Sequence, residues 1–359
     1  MRYFNVIAAA LLSLLYLTGY IPPTERYNLW FTIFIIPFAM VANTVLLIVA
    51  AIRRRRTALF YLLPMMIGLP YLLSTVGIKS YFQRRDPSSS TFTLLNYNIS
   101  NFGIKESVKT DKTVAVSELY NLLLHPETDI QCYQEFINYP WSKEGNVIKR
   151  LTELNRHFYF SMEPVTDHMD YSRMGTLILS KFPIVSSGDV LAGEFGFNRV
   201  SFVDVVIKSD TVRIINVHLH SMGLGRFDPR VRSQIKEVGR ATRTILSKLK
   251  EGVFERRRQV VELMHFVEHS PYPVVCAGDF NDMPYAYTYR YVRKYMRNSF
   301  EESGKGFGFT YNGGTLRVLR IDNQFYQGRI RSTDLRTRYD LPYTDHFPVQ
   351  GTYQVTGRQ

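Results

Sequence analysis

PVVCAGDFNDMP, residues 273–284, is the stretch on which the reading of this chain turns. Val274-Val275-Cys276-Ala277 has the length and β-branched content of a buried strand, and it breaks at Gly278 into Asp279-Phe280-Asn281-Asp282. Polar groups crowd the carboxyl end of that strand. In α/β proteins such ends carry chemistry, because a rigid backbone presents its side chains to an open crevice there. The same residues also make an ordinary β-turn, since Gly, Asp and Asn are turn formers. The remaining segments decide between turn and site.

Upstream, Thr91–Ile99 (TFTLLNYNI) reads as a strand ending at Asn98, and Asp129–Glu135 (DIQCYQE) as a second that delivers Glu135 at its end. Met174–Pro183 and Val200–Ile207 predict further strands, and Val212–Leu219 (VRIINVHL) is an apolar strand with His218 near its carboxyl end. A lone His among Val and Leu is usually a core residue satisfied by one hydrogen bond; here alternation puts His220 on the same face. Downstream, Tyr285–Phe300 predicts a helix, Ser303–Asn312 a Gly- and aromatic-rich loop, and Arg320–Phe325 a strand carrying Asp322. Asp345-His346 then precedes a last strand that ends near Val355. Arg230–His269 predicts the longest helical region, as two helices meeting at Arg256-Arg257-Arg258. Its basic positions make a solvated face; the sharper alternative is that the insertion 221–260 overhangs the site and meets phosphates or lipid headgroups.

The amino-terminal part has a different composition. Phe4–Tyr20, Leu29–Ile52 and Ala58–Ile78 are apolar runs without a charged residue, each near the length of a membrane-spanning helix. Three transmembrane helices are expected, rather than a cleaved signal peptide. Arg53–Arg56 between the second and third runs marks a cytoplasmic loop, which places the remainder of the chain on the outer side of a multi-pass cell-membrane anchor. Lys79, Arg84 and Arg85 oppose that orientation weakly. The expected organisation is an anchor over 1–80, a polar linker over 81–90 that includes Asp86-Pro87-Ser88-Ser89-Ser90, and a catalytic domain over 91–359.

The 359 residues are 45% hydrophobic and 14% aromatic, which excludes a disordered chain. Of the net charge of +13, about +7 belongs to the part after Tyr81, which suits an anionic substrate or surface. Cys132 and Cys276 each lie in an apolar run and read as buried core thiols, not a disulfide.

The polar residues at strand ends are Asn98, Glu135, His218, Asp279, Asn281, Asp322, Asp345 and His346. They offer oxygen and imidazole donors and no thiolate, a set that suits Mg²⁺ or Mn²⁺ over structural zinc. Carboxylates beside a positioned base and a divalent ion make a phosphoester-cleaving site: the ion neutralises charge on the phosphoryl oxygens while the base orients water for in-line attack.

LNYNI at 95–99, DIQCYQE at 129–135, GTLILSKFPI at 175–184, NVHL at 216–219, GDFND at 278–282, RID at 320–322 and TDHFPV at 344–349 resemble, in order and spacing, the endonuclease/exonuclease/phosphatase superfamily. That superfamily includes deoxyribonuclease I-like nucleases, abasic-site endonucleases, inositol polyphosphate phosphatases and neutral sphingomyelinases, and the layout is most similar to membrane-anchored bacterial members. The resemblance implies a four-layer α/β sandwich of two packed mixed β-sheets flanked by helices. It also implies Mg²⁺- or Mn²⁺-dependent hydrolysis of phosphodiester or phosphomonoester bonds in nucleic acid or phospholipid headgroups. Glu135 resembles the principal metal ligand, with Asn98 and Asp345 as its supports. Asp279 resembles the residue that orients or deprotonates the attacking water, with Asn281 beside it. His346 resembles the phosphate-contacting base or stabiliser, Asp322 the carboxylate that fixes it, and His218 a second phosphate-contacting histidine that assists the leaving oxygen. Asn323-Gln324 stand where an aromatic and an aliphatic residue are more usual, Thr344 where Ser is usual, and Arg173 lies where some relatives contact phosphate. The competing reading is a catalytically silent membrane-bound phosphate- or lipid-binding protein on the same fold. Its signature would be loss of Glu135, Asp279 or His346, and all three are present.

Overall fold

Among the described residues, twelve strands follow the apolar amino-terminal region, and they fall into two sheets. A computed structural model describes residues 2–24, 29–53, 56–78, 90–103, 111–164, 173–192, 196–221, 235–313 and 318–356. In the first sheet the order is β11 (Ile330–Thr337), β12 (Val349–Val355), β1 (Ser90–Asn98), β2 (Ile130–Asn138), β4 (Arg173–Ser180) and β3 (His157–Pro164). The second runs β5 (Ile184–Leu191), β6 (Val200–Ile207), β7 (Asp210–His218), β8 (Val274–Asp279), β10 (Asp322–Gln327) and β9 (Arg297–Asn298). Only β1–β2 and β7–β8 pair in parallel, so both sheets are mixed.

Alternation along the strands builds the layers. In β8, Val275 and Ala277 face the first sheet and join Leu94, Ile130 and Val203 in the inter-sheet core, while Val274 and Cys276 face outward onto the long helix Ile235–Glu268. Helices Lys112–Leu124 and Val147–Glu153 cover the outer face of the first sheet through Leu119, Leu123 and Leu151. The result is the α/β/β/α sandwich that the sequence implies. Cys132 and Cys276 are free and buried, as read, and burial raises both thiols.

Several elements differ from expectation. Arg230–His269 is not two helices: from Ile235 to Glu268 it is one continuous helix that passes through Arg256-Arg257-Arg258, and 222–234 lie outside the described residues. Tyr285–Phe300 is no single helix; it breaks into a short helix at Tyr287–Val292, strand β9 and a turn of helix at Ser299–Ser303, because Asn298 caps the latter by accepting from Phe300 N and Glu301 N. Strands β3, β5 and β11 are edge or near-edge strands that the apolar pattern did not reveal.

The amino-terminal region forms three helices, α1 (Arg2–Thr18), α2 (Ile36–Ile52) and α3 (Ala58–Thr75). Leu29–Ile52 is not one span, since a 3₁₀ turn at Trp30–Phe34 precedes α2, whose start is set by Pro37. Among the described residues only Ala58–Thr75 is long and apolar enough to cross a membrane; Tyr3–Thr18 and Ile36–Ile52 are shorter apolar helices. At 17 residues each, α1 and α2 extend about 25 Å, short of the roughly 30 Å hydrocarbon core. The expectation of three bilayer-length helices therefore reduces to one. The helices pack closely, with Gly68 admitting the Tyr16 ring and Tyr61 donating to Asn5 Oδ1 at 2.7 Å.

This bundle is seated on the sandwich. Tyr16, Ile33, Ile36 and Tyr71 share a buried cluster with Met283 and Tyr285. Gly77 and Gly306 exchange backbone hydrogen bonds of 2.8 and 3.1 Å, Arg290 lies 4.2 Å over the Tyr71 ring, and Arg257 donates to Pro23 O at 2.8 Å. Arg320 donates to Ser74 O. Residues 81–89 of the expected linker, and Arg54 and Arg55, lie outside the described residues.

Candidate active site

Three neighbouring strands of the second sheet set three polar side chains in one row. His218 at the end of β7 pairs with Asp279 at the end of β8, and Asp279 pairs with Asp322 at the start of β10. Gly278 makes this possible: at φ +147 a Cβ there would stand 2.0 Å from Val217 O, so any larger residue would push β8 off β7. The first sheet closes the site from above, since Asn98 at the end of β1 donates to Asp279 Oδ2 at 3.1 Å and to Glu135 Oε1 at 3.3 Å.

Glu135 is not at the end of its strand. It lies inside β2, at a bulge between Tyr133 and Phe136, with φ +48. A bulge re-aims a side chain, and here it turns a carboxylate towards the other sheet, 4.0 Å from His218 Nε2. Asn281 also has positive φ, as do Ser100, Asn101 and Phe102 behind β1. Left-handed non-glycine residues cost about 1–3 kcal/mol each, and these cluster around one rim.

His346 is held from both sides. Its Nδ1–H donates to Asp322 Oδ2 at 2.9 Å, and its Nε2 lies 3.8 Å from Asp279 Oδ2. Burial disfavours the imidazolium, yet the carboxylates of Asp322 and Asp279 outweigh it and raise His346 from 6.5 to about 10. Burial and the Asp322 charge push Asp279 up to about 6, against the opposing pull of His346 and His218. Asn281 N donates to Asp279 Oδ1 at 2.8 Å, and the Asn281 amide donates to Leu219 O at 2.9 Å. Asp345 accepts from the Ser100 hydroxyl, and Thr344 donates to Asn98 O at 2.9 Å while accepting from His346 N at 3.0 Å. Threonine in place of serine thus supplies the hydroxyl bridge between β1 and the Asp345-His346 turn.

All eight residues read as candidates from the sequence therefore come to one rim. Seven are joined by direct contacts, and Asp345 is joined through Ser100 and its neighbour His346. Arg173 is exposed at the start of β4, and none of these contacts involves it. Gln324 lies in the inter-sheet core, donating to Asn96 Oδ1 at 2.9 Å and Val349 O at 3.0 Å, so its polarity serves packing between the sheets.

Sequence reasoning missed three supporting side chains, those of Asn198, Tyr311 and Arg256. Asn198 donates to Leu219 O at 3.0 Å and sits 3.4 Å from His218 Nε2, while His218 Nδ1 faces Phe197 O at 3.2 Å. A carbonyl accepts only, so Nδ1 carries a proton, and the ring turns Nε2 towards Glu135 at 4.0 Å. Tyr311 sets its ring edge-on to His346. Arg256, read as part of a solvated basic face, is fully buried: it donates to Asp282 Oδ2 at 3.2 Å and to His220 O at 3.0 Å. Its spacing was the available signal, since Leu249, Val253, Val260, Leu263 and Val267 form the buried stripe and Arg256 falls on it.

An ion fits this donor set. Glu135, Asp279, Asp322 and Asp345 concentrate carboxylates in a largely buried rim, a donor set of the kind a hard cation takes. One ligand atom each of Asp279, Asp322 and His346 lies within 4.8 Å of the others. That trio differs from the Asn98, Glu135 and Asp345 set that the resemblance implies.

Acid, amide and imidazole groups on the facing ends of two packed sheets define a hydrolase-type site on an α/β sandwich. The chain belongs to the endonuclease/exonuclease/phosphatase family, which its residues 95–346 match, and the family is one of phosphoester hydrolases. Residues 1–75 match a second family, described as a domain of unknown function. Among solved structures, an endonuclease/exonuclease/phosphatase from Beutenbergia cavernae is similar at 15% identity and TM-score 0.54, over 75% of this chain and 72% of that one. A family protein from Leptotrichia buccalis is similar at 10% identity and TM-score 0.50, over 72% and 98%. At these identities the likeness is one of fold. No curated protein matches the chain.

Proposed function

We propose that this chain is a membrane-anchored phosphoesterase that depends on Mg²⁺ or Mn²⁺ and hydrolyses phosphodiester or phosphomonoester bonds by in-line attack of water. The single observation that carries the reading is the Asp322–His346–Asp279 chain lying against Asn98 and Glu135 of the opposite sheet. When bound, the ion supplies neutralisation of charge developing on the phosphoryl oxygens. Glu135 holds it, with Asn98 and Asp345 as supports. His346 serves the phosphate in this reading, its ring held by Asp322 Oδ2 on Nδ1 while Nε2 faces Asp279 across 3.8 Å. It presents Nε2–H to the scissile phosphate, steadied by Asp322. Asp279, raised to about 6, is poised to orient and deprotonate the attacking water, and the Asn98 and Asn281 donors fix its carboxylate. Asn281 steadies water or phosphate beside it, and His218 contacts the phosphate and assists the leaving oxygen.

Residues 1–80 act as the anchor, 81–90 as linker and 91–359 as catalytic domain, on the outer side of the cell membrane. Two observations support this. Phe38, Val41, Ile48, Leu59, Leu63 and Met66 are exposed on the helices, an apolar surface that lipid would cover. The Arg53 end of α2 is opposite the end that meets Met283 and Tyr285, so Arg53 and the sandwich lie at opposite ends of that helix.

The test uses the purified full chain with Mg²⁺ or Mn²⁺ against DNA, RNA, sphingomyelin and inositol phosphates, beside Asp279→Ala. Cleavage of at least one, lost in the variant and in excess chelator, is expected; cleavage that persists in either contradicts the reading.

A further inference from the structure

The wall of the site beside His346 is apolar, and the amino-terminal helices contribute to it. Tyr311 meets the His346 imidazole edge-on, with centroids 5.4 Å apart at 81°. Tyr311, Leu319 and Phe34 pack on buried Leu249 and Ile321, and Ile321 immediately precedes Asp322. One small cluster therefore joins the 3₁₀ turn before α2, the long helix Ile235–Glu268, and the strand that orients His346.

The cluster continues outward into exposed apolar groups. Phe31 and Ile35 flank Phe34, Leu246 stands one turn before Leu249, and Val318 adjoins Leu319; these four are between 44% and 54% exposed. Lys248 and Lys250 accompany them on the long helix. A groove for single-stranded nucleic acid pairs cationic side chains with aromatic stacking platforms along a backbone track. Three exposed aliphatic groups and a single exposed aromatic, Phe31, beside two lysines match a lipid–water interface instead, where apolar groups enter the acyl boundary and cations meet headgroups. The rim is also continuous with helices whose outward faces are apolar, so it lies at the level where they would leave a bilayer.

We propose that this rim rests on the membrane surface and that the substrate is a phosphoester borne by a bilayer-resident lipid, its apolar part against Phe31, Ile35, Leu246 and Val318 and its phosphate at His346 and Asp279. The proposal rests on the phosphoesterase reading and selects among its substrates.

The test compares the full chain with Leu246→Glu and Val318→Glu, both at exposed positions outside the ion and phosphate contacts. Hydrolysis is measured with Mg²⁺ on vesicles of phosphatidylcholine, phosphatidylglycerol and sphingomyelin, on bis(p-nitrophenyl) phosphate in solution, and on a single-stranded oligodeoxynucleotide. A Leu side chain withdrawn from an apolar phase changes affinity by about tenfold or more, so each variant loses about tenfold on vesicles and stays within about twofold on the soluble diester. Equal vesicle rates in parent and variants overturn the proposal, as does a parent that cleaves the oligonucleotide but not vesicle lipid. A parent that cleaves RNA or inositol phosphates but not vesicle lipid also overturns the proposal alone, and a parent inactive on every one of these substrates removes the phosphoesterase reading itself, and the proposal with it.

Discussion

Replacing Arg256 by Met tests how the turn after Asp279 is held. The guanidinium is fully buried and its partner Asp282 is 2% exposed, three residues beyond Asp279. Methionine keeps much of the aliphatic stem but leaves a buried carboxylate without its cation, a change that costs about 3–5 kcal/mol. Loss of the 3.0 Å bond to His220 O adds about 1 kcal/mol. A domain of this size loses roughly 2–4 °C of melting temperature per kcal/mol, so Arg256→Met should melt roughly 10 °C or more below the parent. Circular dichroism of the detergent-solubilised full chain reads this directly. Removing the stranded charge as well, in Arg256→Met with Asp282→Asn, should recover a large part of the loss. A single variant that melts with the parent, or two single losses that merely add, would refute the argument that these groups form one buried unit.

Other variants probe the site. Asp322→Asn removes the carboxylate that holds His346 charged, so the His346 imidazole should titrate well below about 10 by NMR and turnover should fall by about 10²-fold; an unmoved titration contradicts the assigned pair. Asn98→Ala, which strips the amide bridging Glu135 and Asp279, should raise the Mg²⁺ concentration for half-maximal activity by about 10–100-fold, read from metal titration of the rate. Asp279→Asn should abolish activity yet raise the melting temperature of chelator-treated protein at alkaline pH. The sign follows from its carboxyl being raised to about 6: the stability it contributes is present below its unfolded value and lost as pH rises through about 6, so above that the ionised group opposes folding and the amide relieves it. A lower melting temperature for the variant at that pH would reverse the assigned direction.

The parts of the site that could be read from sequence were those where an apolar strand runs straight into a polar residue. Val274–Ala277 before Asp279 and Val212–Val217 before His218 announce both the buried strand and its functional end. Strand β11 does not: IRSTDLRT pairs only with β12 at a sheet edge, so half of its positions face water and its composition resembles a loop. Glu135 was found for its chemistry, but the bulge that aims it is a backbone event with no residue signature in DIQCYQE. Arg256 is hidden in the sequence because three consecutive arginines suggest a solvated run. On a helix they point about 100° apart, and one of them must turn towards the stripe set by Val253 and Val260. The seating of the helices on the sandwich, through the Gly77–Gly306 pairing and Arg320 on Ser74, joins segments more than two hundred residues apart and leaves no local pattern to read.

In the proposed reaction, distant carboxylates, amides and imidazoles on two sheets drive water onto phosphorus. Turnover of bis(p-nitrophenyl) phosphate by the full chain in heavy-oxygen water, with Mg²⁺ present, measures it most directly. Heavy oxygen is expected in the phosphate product of the parent and none with Asp279→Ala or excess chelator. Label that appears equally in all three, or label found only in the released alcohol, would contradict it.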